Sequence, residues 1–341
     1  MTGAPTNGLR PRLESLPLVT LYLSERCNSR CVTCDYWRTG TKDMSLASVR
    51  RLLPSLGRLR TEVALLSGGE PLLNPEWAQI AAELRGAGLK LWLLSSGLSL
   101  AKHARRVAAL FDRGTISLDG TDAATYAAIR GLDAFDKVCE GIRAAAAAGL
   151  PVTLRVTLQG ANFRQLPRFV SLARSLGAAE VSFLAVDVAN PHAFGRDDGS
   201  SLDLALRSNE LTEFSDVLDA LERDCAADFA SGFIAESPRK LRHIQRYFAA
   251  VSGQGTYPPV RCNAPEFSAV IEAGGQVNPC FFIRGPADAV VGDDLAFTLN
   301  EAQITLLRDR IRTGSAPECR TCVCSIWHTR GPIVSRKAEH V

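Results

Sequence analysis

The chain has 341 residues, 46% of them hydrophobic, and 39 Lys+Arg against 36 Asp+Glu give a net charge of +3. At about 150 residues per domain the length suggests two domains, or one barrel with an appendage, and the apolar fraction argues against intrinsic disorder. Balanced charge without a basic run argues against a nucleic-acid partner. The sequence holds no apolar run long enough to span a membrane, and the first residues lack the order of a signal peptide, so a cytoplasmic protein is expected.

A β-then-α rhythm opens the chain. LVTLYL (18–23) has strand length, 46–56 has helical spacing, and VALLS (63–67) is a strand cut by Gly68-Gly69. An amphipathic helix (75–88), a strand (89–95), a helix (101–111) and the strand GTISLDG (114–120) follow. One or two helices fill 122–148, PVTLRVTLQ (151–159) is a strand, 163–177 a helix and EVSFLAVD (180–187) a strand. Near-continuous apolar strands are buried on both faces, which predicts a parallel sheet. A partial (βα)6 barrel and a doubly wound sheet both fit, and both place ligands at the carboxyl ends of strands. The rhythm stops after Asp187. A polar loop (188–200), helical patterns near 207–224 and 236–250, and a linker (254–259) come next. From Cys262 the chain reads as a small separate unit, with a hairpin around Ala273-Gly274-Gly275 and a helix near 299–313.

Eight of the ten cysteines lie in two groups: Cys27, Cys31 and Cys34, then Cys262, Cys280, Cys319, Cys322 and Cys324. In a reducing compartment such spacing points to metal or redox chemistry rather than disulfides. Cys139 and Cys225 fall inside helical patterns and read as small buried hydrophobes. The first group, CNSRCVTC, can place three thiolates around a cubane [4Fe–4S] cluster and leave the fourth iron open to a substrate or cofactor. A structural zinc site would want a fourth ligand, and the nearest histidine, His103, is distant in sequence.

This spacing resembles the radical S-adenosylmethionine (SAM) superfamily, whose signature is C-x3-C-x-Φ-C; here Thr33 stands at Φ, so Tyr36 or Trp37 is the expected cover for the adenine. Ser67-Gly68-Gly69-Glu70-Pro71 after the second strand resembles the family's GGE(P). Two glycines allow close backbone approach to the methionine ammonium, and a glutamate adds a charge-assisted partner. Ser96, ending the third strand, is similar to a ribose-contacting position. Ser117-Leu118-Asp119-Gly120 resembles the common S-(L/I)-D-G, with Ser117 and Asp119 on one face. Arg130-Gly131 resembles another family position. Arg155, mid-strand, needs an anion, either the SAM carboxylate or a structural acid.

The second group can saturate a cluster with four thiolates, and a zinc-ribbon-like site would use the same four. C-x12-G-x4-C followed by CxxC is similar to the auxiliary-cluster extension of SPASM/twitch radical SAM enzymes, in its shorter twitch form, with Cys262, Cys280, Cys319 and Cys322 as ligands and Cys324 able to replace Cys319 or Cys322. The resemblance implies an α/β chain: a partial (βα)6 TIM-like barrel (17–187), a helical extension (188–260) and a small C-terminal twitch iron–sulfur domain (261–330). It implies a SAM-binding [4Fe–4S] cluster, an auxiliary [4Fe–4S] cluster, SAM, and a reductant such as flavodoxin or ferredoxin. It further implies a 5′-deoxyadenosyl radical that takes hydrogen from a substrate. Asp187 and His192 are positional candidates for a base in a dehydrogenase-type oxidation. A small metabolite is the first substrate reading and a peptide or protein side chain the second. A non-enzymatic iron–sulfur electron carrier is the reading from another class, and it would have no use for the GGEP and SLDG segments.

Overall fold

A computed structural model describes residues 12–190, 193–195, 202–329 and 333. Six βα units build the first half. Strand β1 (Leu18–Ser24) leads through the cysteine loop to the short helix α1 (Tyr36–Thr39) and then α2 (Leu46–Arg58). Next come β2 (Val63–Gly68), α3 (Trp77–Gly86), β3 (Lys90–Ser95), α4 (Leu100–Leu110) and β4 (Arg113–Ser117). Helices α5 (Ala123–Arg130) and α6 (Phe135–Ala147) precede β5 (Val152–Leu158), α7 (Leu166–Ser175) and β6 (Glu180–Ala185).

Strands β1 to β6 pair in parallel, in chain order. One parity of side chains, including Leu21, Leu66, Leu93, Ile116, Leu154, Val156 and Phe183, is fully buried in the main apolar core. The other parity is more polar on β4 to β6, where Ser117, Arg155 and Ser182 stand in one register row. That parity is the inner face of the barrel, and it is where a ligand would sit.

The outer edge of β6 is covered. Val181 bridges in parallel to Ile234, and Glu236 accepts from Ser182 Oγ (2.6 Å) and Phe183 N (2.7 Å). This segment follows α8 (Leu211–Asp224) and α9 (Ala226–Ser231) and runs into α10 (Pro238–Val251), whose Leu241, Ile244 and Phe248 are buried.

The chain after 260 does not stand apart from the sheet. Beyond α11 (Ala264–Phe267), β7 (Ser268–Ile271) pairs in parallel with β1, and β8 (Val277–Asn278) turns back antiparallel to β7. The sheet order is β6-β5-β4-β3-β2-β1-β7-β8. Apolar alternation identifies β7 as a strand but carries no information on its partner, because that pairing joins residues some 250 positions apart. Helices α12 (Leu295–Leu299) and α13 (Ala302–Arg312) complete the C-terminal part, and Ser55 of α2 bonds Leu295 N and Asp294. Among the described residues no helix is long and apolar enough to cross a membrane.

Candidate active site at two cysteine groups

The first cysteine loop leaves β1 and is clamped on two sides by backbone. Gly69 N donates to Ser24 O (2.7 Å) and Glu70 N to Arg26 O (2.8 Å). A Cβ on Gly69 would stand 2.4 Å from Arg26 O, and Gly68 holds φ +121°, a region open to glycine. On the other side, Arg30 N donates to Arg130 O and Val32 N to Ile129 O, both at 3.0 Å. Gly131 caps α5 in the left-handed region (φ +70°), and a Cβ there would lie 2.3 Å from Arg30 O. The glycines of both motifs therefore let the cysteine loop press against its two supports.

The side chains follow. Glu70 is fully buried, and its carboxylate accepts from Leu72 N (3.1 Å), Ser95 Oγ (2.9 and 3.0 Å), Ser96 N (2.8 Å) and Ser96 Oγ (2.7 Å). Burial raises its pKa against the pull of these donors. Ser96 Oγ also lies 3.0 Å from Asn28 Oδ1 in the cysteine loop. Asp119 and Arg130, both expected to contact SAM, pair with each other at 2.7 Å in a buried setting, and Arg130 Nη1 reaches Cys31 Sγ at 3.5 Å. Ser117 is the register neighbour of Arg155. Arg155 has Glu236 as its electrostatic partner, so a structural acid is present where the sequence left acid and SAM carboxylate open. Tyr36 opens α1, packs edge-on against Tyr22 at 5.8 Å between ring centroids, and burial raises its hydroxyl pKa.

The thiols share a local pattern that the sequence did not reveal. The backbone N–H two residues on points at the sulfur of Cys27 (from Ser29, 3.4 Å), Cys34 (from Tyr36), Cys262 (from Ala264, 3.4 Å), Cys280 (from Phe282) and Cys322 (from Cys324, 3.4 Å). Such donors favour a thiolate and suit sulfur bound to a cationic centre. Among the described residues none is directed at Cys31, Cys319 or Cys324, nor at Cys139 or Cys225. Burial above all pushes Cys27 up to about 11 and Cys34 and Cys280 up to about 12, so an incoming metal must displace protons. Cys280, Cys319, Cys322 and Cys324 each lie within electrostatic reach of Cys262. No three His, Cys, Asp or Glu among the described residues converge to hold a single metal ion.

The expected bases are less informative. Asp187 is buried just beyond β6, and its Oδ1 accepts from Ala189 N and Asn190 N, both at 3.1 Å, in a turn. His192 lies outside the described residues.

Residues 21–173 match the family model of the Radical SAM superfamily. These residues are a radical SAM domain. Curated relatives of this radical SAM domain include pre-heme d1 synthase of Dinoroseobacter shibae, 34% identical over 168 residues (47% of this chain, 41% of that protein). The AdoMet-dependent heme synthase of Methanosarcina barkeri is 28% identical over 167 residues (47% and 48%). The chain spans about half the length of the curated relatives it matches. In fold it is similar to SuiB of Streptococcus suis bound to S-adenosylmethionine (TM-score 0.65, 13% identity, covering 92% of this chain and 73% of that one). It is similar also to anSMEcpe with bound AdoMet and Cp18Cys peptide (TM-score 0.65, 16% identity, 91% and 89%). These likenesses extend beyond the radical SAM domain into the C-terminal part.

Proposed function

We propose that this radical SAM protein is an enzyme of the SPASM/twitch subgroup, with one auxiliary cluster, that oxidises or rearranges a small metabolite in a biosynthetic sequence. The observation that carries the reading is the shared N–H···S arrangement at both cysteine groups, joined to the clamped GGE loop. Cys27, Cys31 and Cys34 would hold the SAM-binding [4Fe–4S] cluster, and Cys262, Cys280, Cys319 and Cys322 the auxiliary one, with Cys324 able to replace Cys319 or Cys322. When bound, the first cluster supplies the electron that cleaves SAM to methionine and a 5′-deoxyadenosyl radical, the species that takes hydrogen from substrate.

The chain's own residues prepare this site. Gly68 and Gly69 bring main chain against the cysteine loop and leave carbonyls for the methionine ammonium. Glu70 fixes Ser96 at the ribose. Asp119 orients Arg130 toward Cys31, Ser117 and Arg155 line the SAM side of the inner wall, and Tyr36 covers the adenine. Asp187 and His192 are the proposed bases. Residues 17–187, 188–260 and 261–330 are proposed as the radical SAM core, helical extension and twitch domain. A flavodoxin or ferredoxin would be the reductant, in a cytoplasmic setting.

Anaerobic reconstitution with iron and sulfide tests the proposal. Two clusters require roughly eight irons per chain, with 5′-deoxyadenosine formed from SAM and dithionite. Joint replacement of Cys27, Cys31 and Cys34 by alanine must abolish that product. A second reading, a peptide- or protein-modifying maturase, draws support from the likeness to anSMEcpe, whose structure holds a Cp18Cys peptide; a mass shift on a peptide rather than on a metabolite would favour it. An electron carrier would show no SAM binding by calorimetry.

A further inference from the structure

The inner wall between the two cysteine groups is lined with charge, and the cations Arg130, Arg155 and Lys240 face two carboxylates, Asp119 and Glu236. From the first group it runs Cys31, Arg130, Asp119, then to the register row Ser117–Arg155–Ser182, then Glu236 and Lys240, and ends at Cys324 of the second group. Arg130 is matched by Asp119 at 2.7 Å. Arg155 has the Glu236 carboxylate as an electrostatic neighbour, which Ser182 Oγ and Phe183 N hold on this wall, but no ion pair joins the two among the described residues. Lys240 is 3% exposed, and its Nζ has no hydrogen-bond partner among the described residues. It sits on the first turn of α10, four residues past Glu236, and Arg155, Lys240 and Glu236 all lie within electrostatic reach of Cys324.

A buried ammonium with no acceptor is costly, and proteins retain one where an anion completes it. Space adjoins it. Lys240, His243, Ile244 and Tyr247 follow helical spacing on α10, and the last three line a cleft with Ala185 at the end of β6 and Cys322 and Val323 of the second cysteine segment.

We infer that Lys240 anchors a carboxylate of the substrate on the inner wall between the two cysteine groups. The inference rests on the small-metabolite reading above and narrows it to an acid. The carboxylate fills the unmatched charge of the wall and holds the rest of the molecule between the SAM side (Ser117, Arg130) and Cys324. A neutral sugar could accept a hydrogen bond from the ammonium but would leave its charge unmatched, and a protonated amine would repel it.

The test uses the full, anaerobically reconstituted chain with methionine and 5′-deoxyadenosine present. Calorimetry compares succinate with its neutral isostere succinamide. Wild type is expected to bind succinate at least tenfold more tightly. Lys240→Gln is expected to erase the preference, while Lys240→Arg keeps part of it. Iron content and binding of methionine with 5′-deoxyadenosine are measured on each variant. Their absence in wild type defeats the radical SAM enzyme reading itself and is separate from the fate of Lys240. Equal binding of succinate and succinamide by wild type overturns the inference, as does a preference that survives in Lys240→Gln. Loss of iron from the second group alone in Lys240→Gln also overturns it, because the ammonium then serves the thiolates.

Discussion

Replacing Glu70 tests whether the GGE glutamate holds the end of the third strand. In Glu70→Gln one carboxylate oxygen becomes an NH2 donor. The Ser95 and Ser96 hydroxyls can rotate to accept from it, but the backbone N–H groups of Leu72 and Ser96, one on each oxygen, cannot. Whichever way the amide is placed, one buried N–H loses its acceptor, at about 1–3 kcal/mol. Part of this returns because a fully buried charge is removed. The sign follows from the raised pKa of Glu70: the folded state holds the proton more tightly, so stability falls as pH rises from the unfolded carboxylate range through the folded pKa, and the ionised form is the costly one near neutrality. Glu70→Ala loses every contact and opens a cavity in the core, roughly 3–5 kcal/mol. Urea unfolding of the reconstituted protein is therefore expected to rank wild type above Glu70→Gln and that well above Glu70→Ala, with the glutamine deficit shrinking as pH rises. If both variants unfold within about 0.5 kcal/mol of wild type, the claim that Glu70 organises Ser95 and Ser96 is wrong.

Gly131→Ala combines a left-handed backbone with a Cβ 2.3 Å from Arg30 O, so it should cost more than about 1 kcal/mol and lower the iron held by the first group; unchanged iron would contradict the clamp. Arg130→Met strands the buried Asp119 and should cost about 3–5 kcal/mol, with the double variant Arg130→Met/Asp119→Leu recovering part of it, as a thermodynamic cycle would show. Burial already raises Asp119, so the single variant is expected to lose less stability at pH 5, where the acid can take a proton, than at pH 8. Burial and neighbouring Lys240 lower His243 to about 4. Its contribution is therefore complete above the ordinary histidine pKa and lost as pH falls below it; His243→Asn should flatten that part of the stability profile. Cys139→Ser, inside α6, should leave the iron count unchanged, in contrast to Cys262→Ser.

The parallel sheet is legible in the chain because strands buried on both faces read as unbroken apolar runs, as in LVTLYL and VALLS. Motif order is legible too, since successive strand ends present GGEP and SLDG. What each residue touches is less so. Glu70 and Arg130 read as ligand contacts, yet each first organises protein: Ser95 and Ser96 for one, Asp119 and Cys31 for the other. Glu236 and Lys240 carry no motif and enter the site only because a stretch 50 residues beyond β6 folds back along its edge. The N–H donors at the cysteines are backbone groups and leave no trace in residue identity.

The pairing of β7 with β1 bears on how the molecule is made. Strand β1 has β2 on one side within about 40 residues of chain, and on its other side Ser24 bridges Asp43, but the stretch Leu18–Leu21 stays bare there until residues 268–271 emerge. During synthesis the barrel can form its five sequential strand pairings while its first strand, next to the first cysteine loop, still offers unpaired N–H and C=O groups. An open edge on a growing chain invites pairing with a neighbour. The last quarter of this protein thus carries thiols and also closes a seam left open since the first twenty residues, and a chain stopped near residue 260 is expected to self-associate through β1.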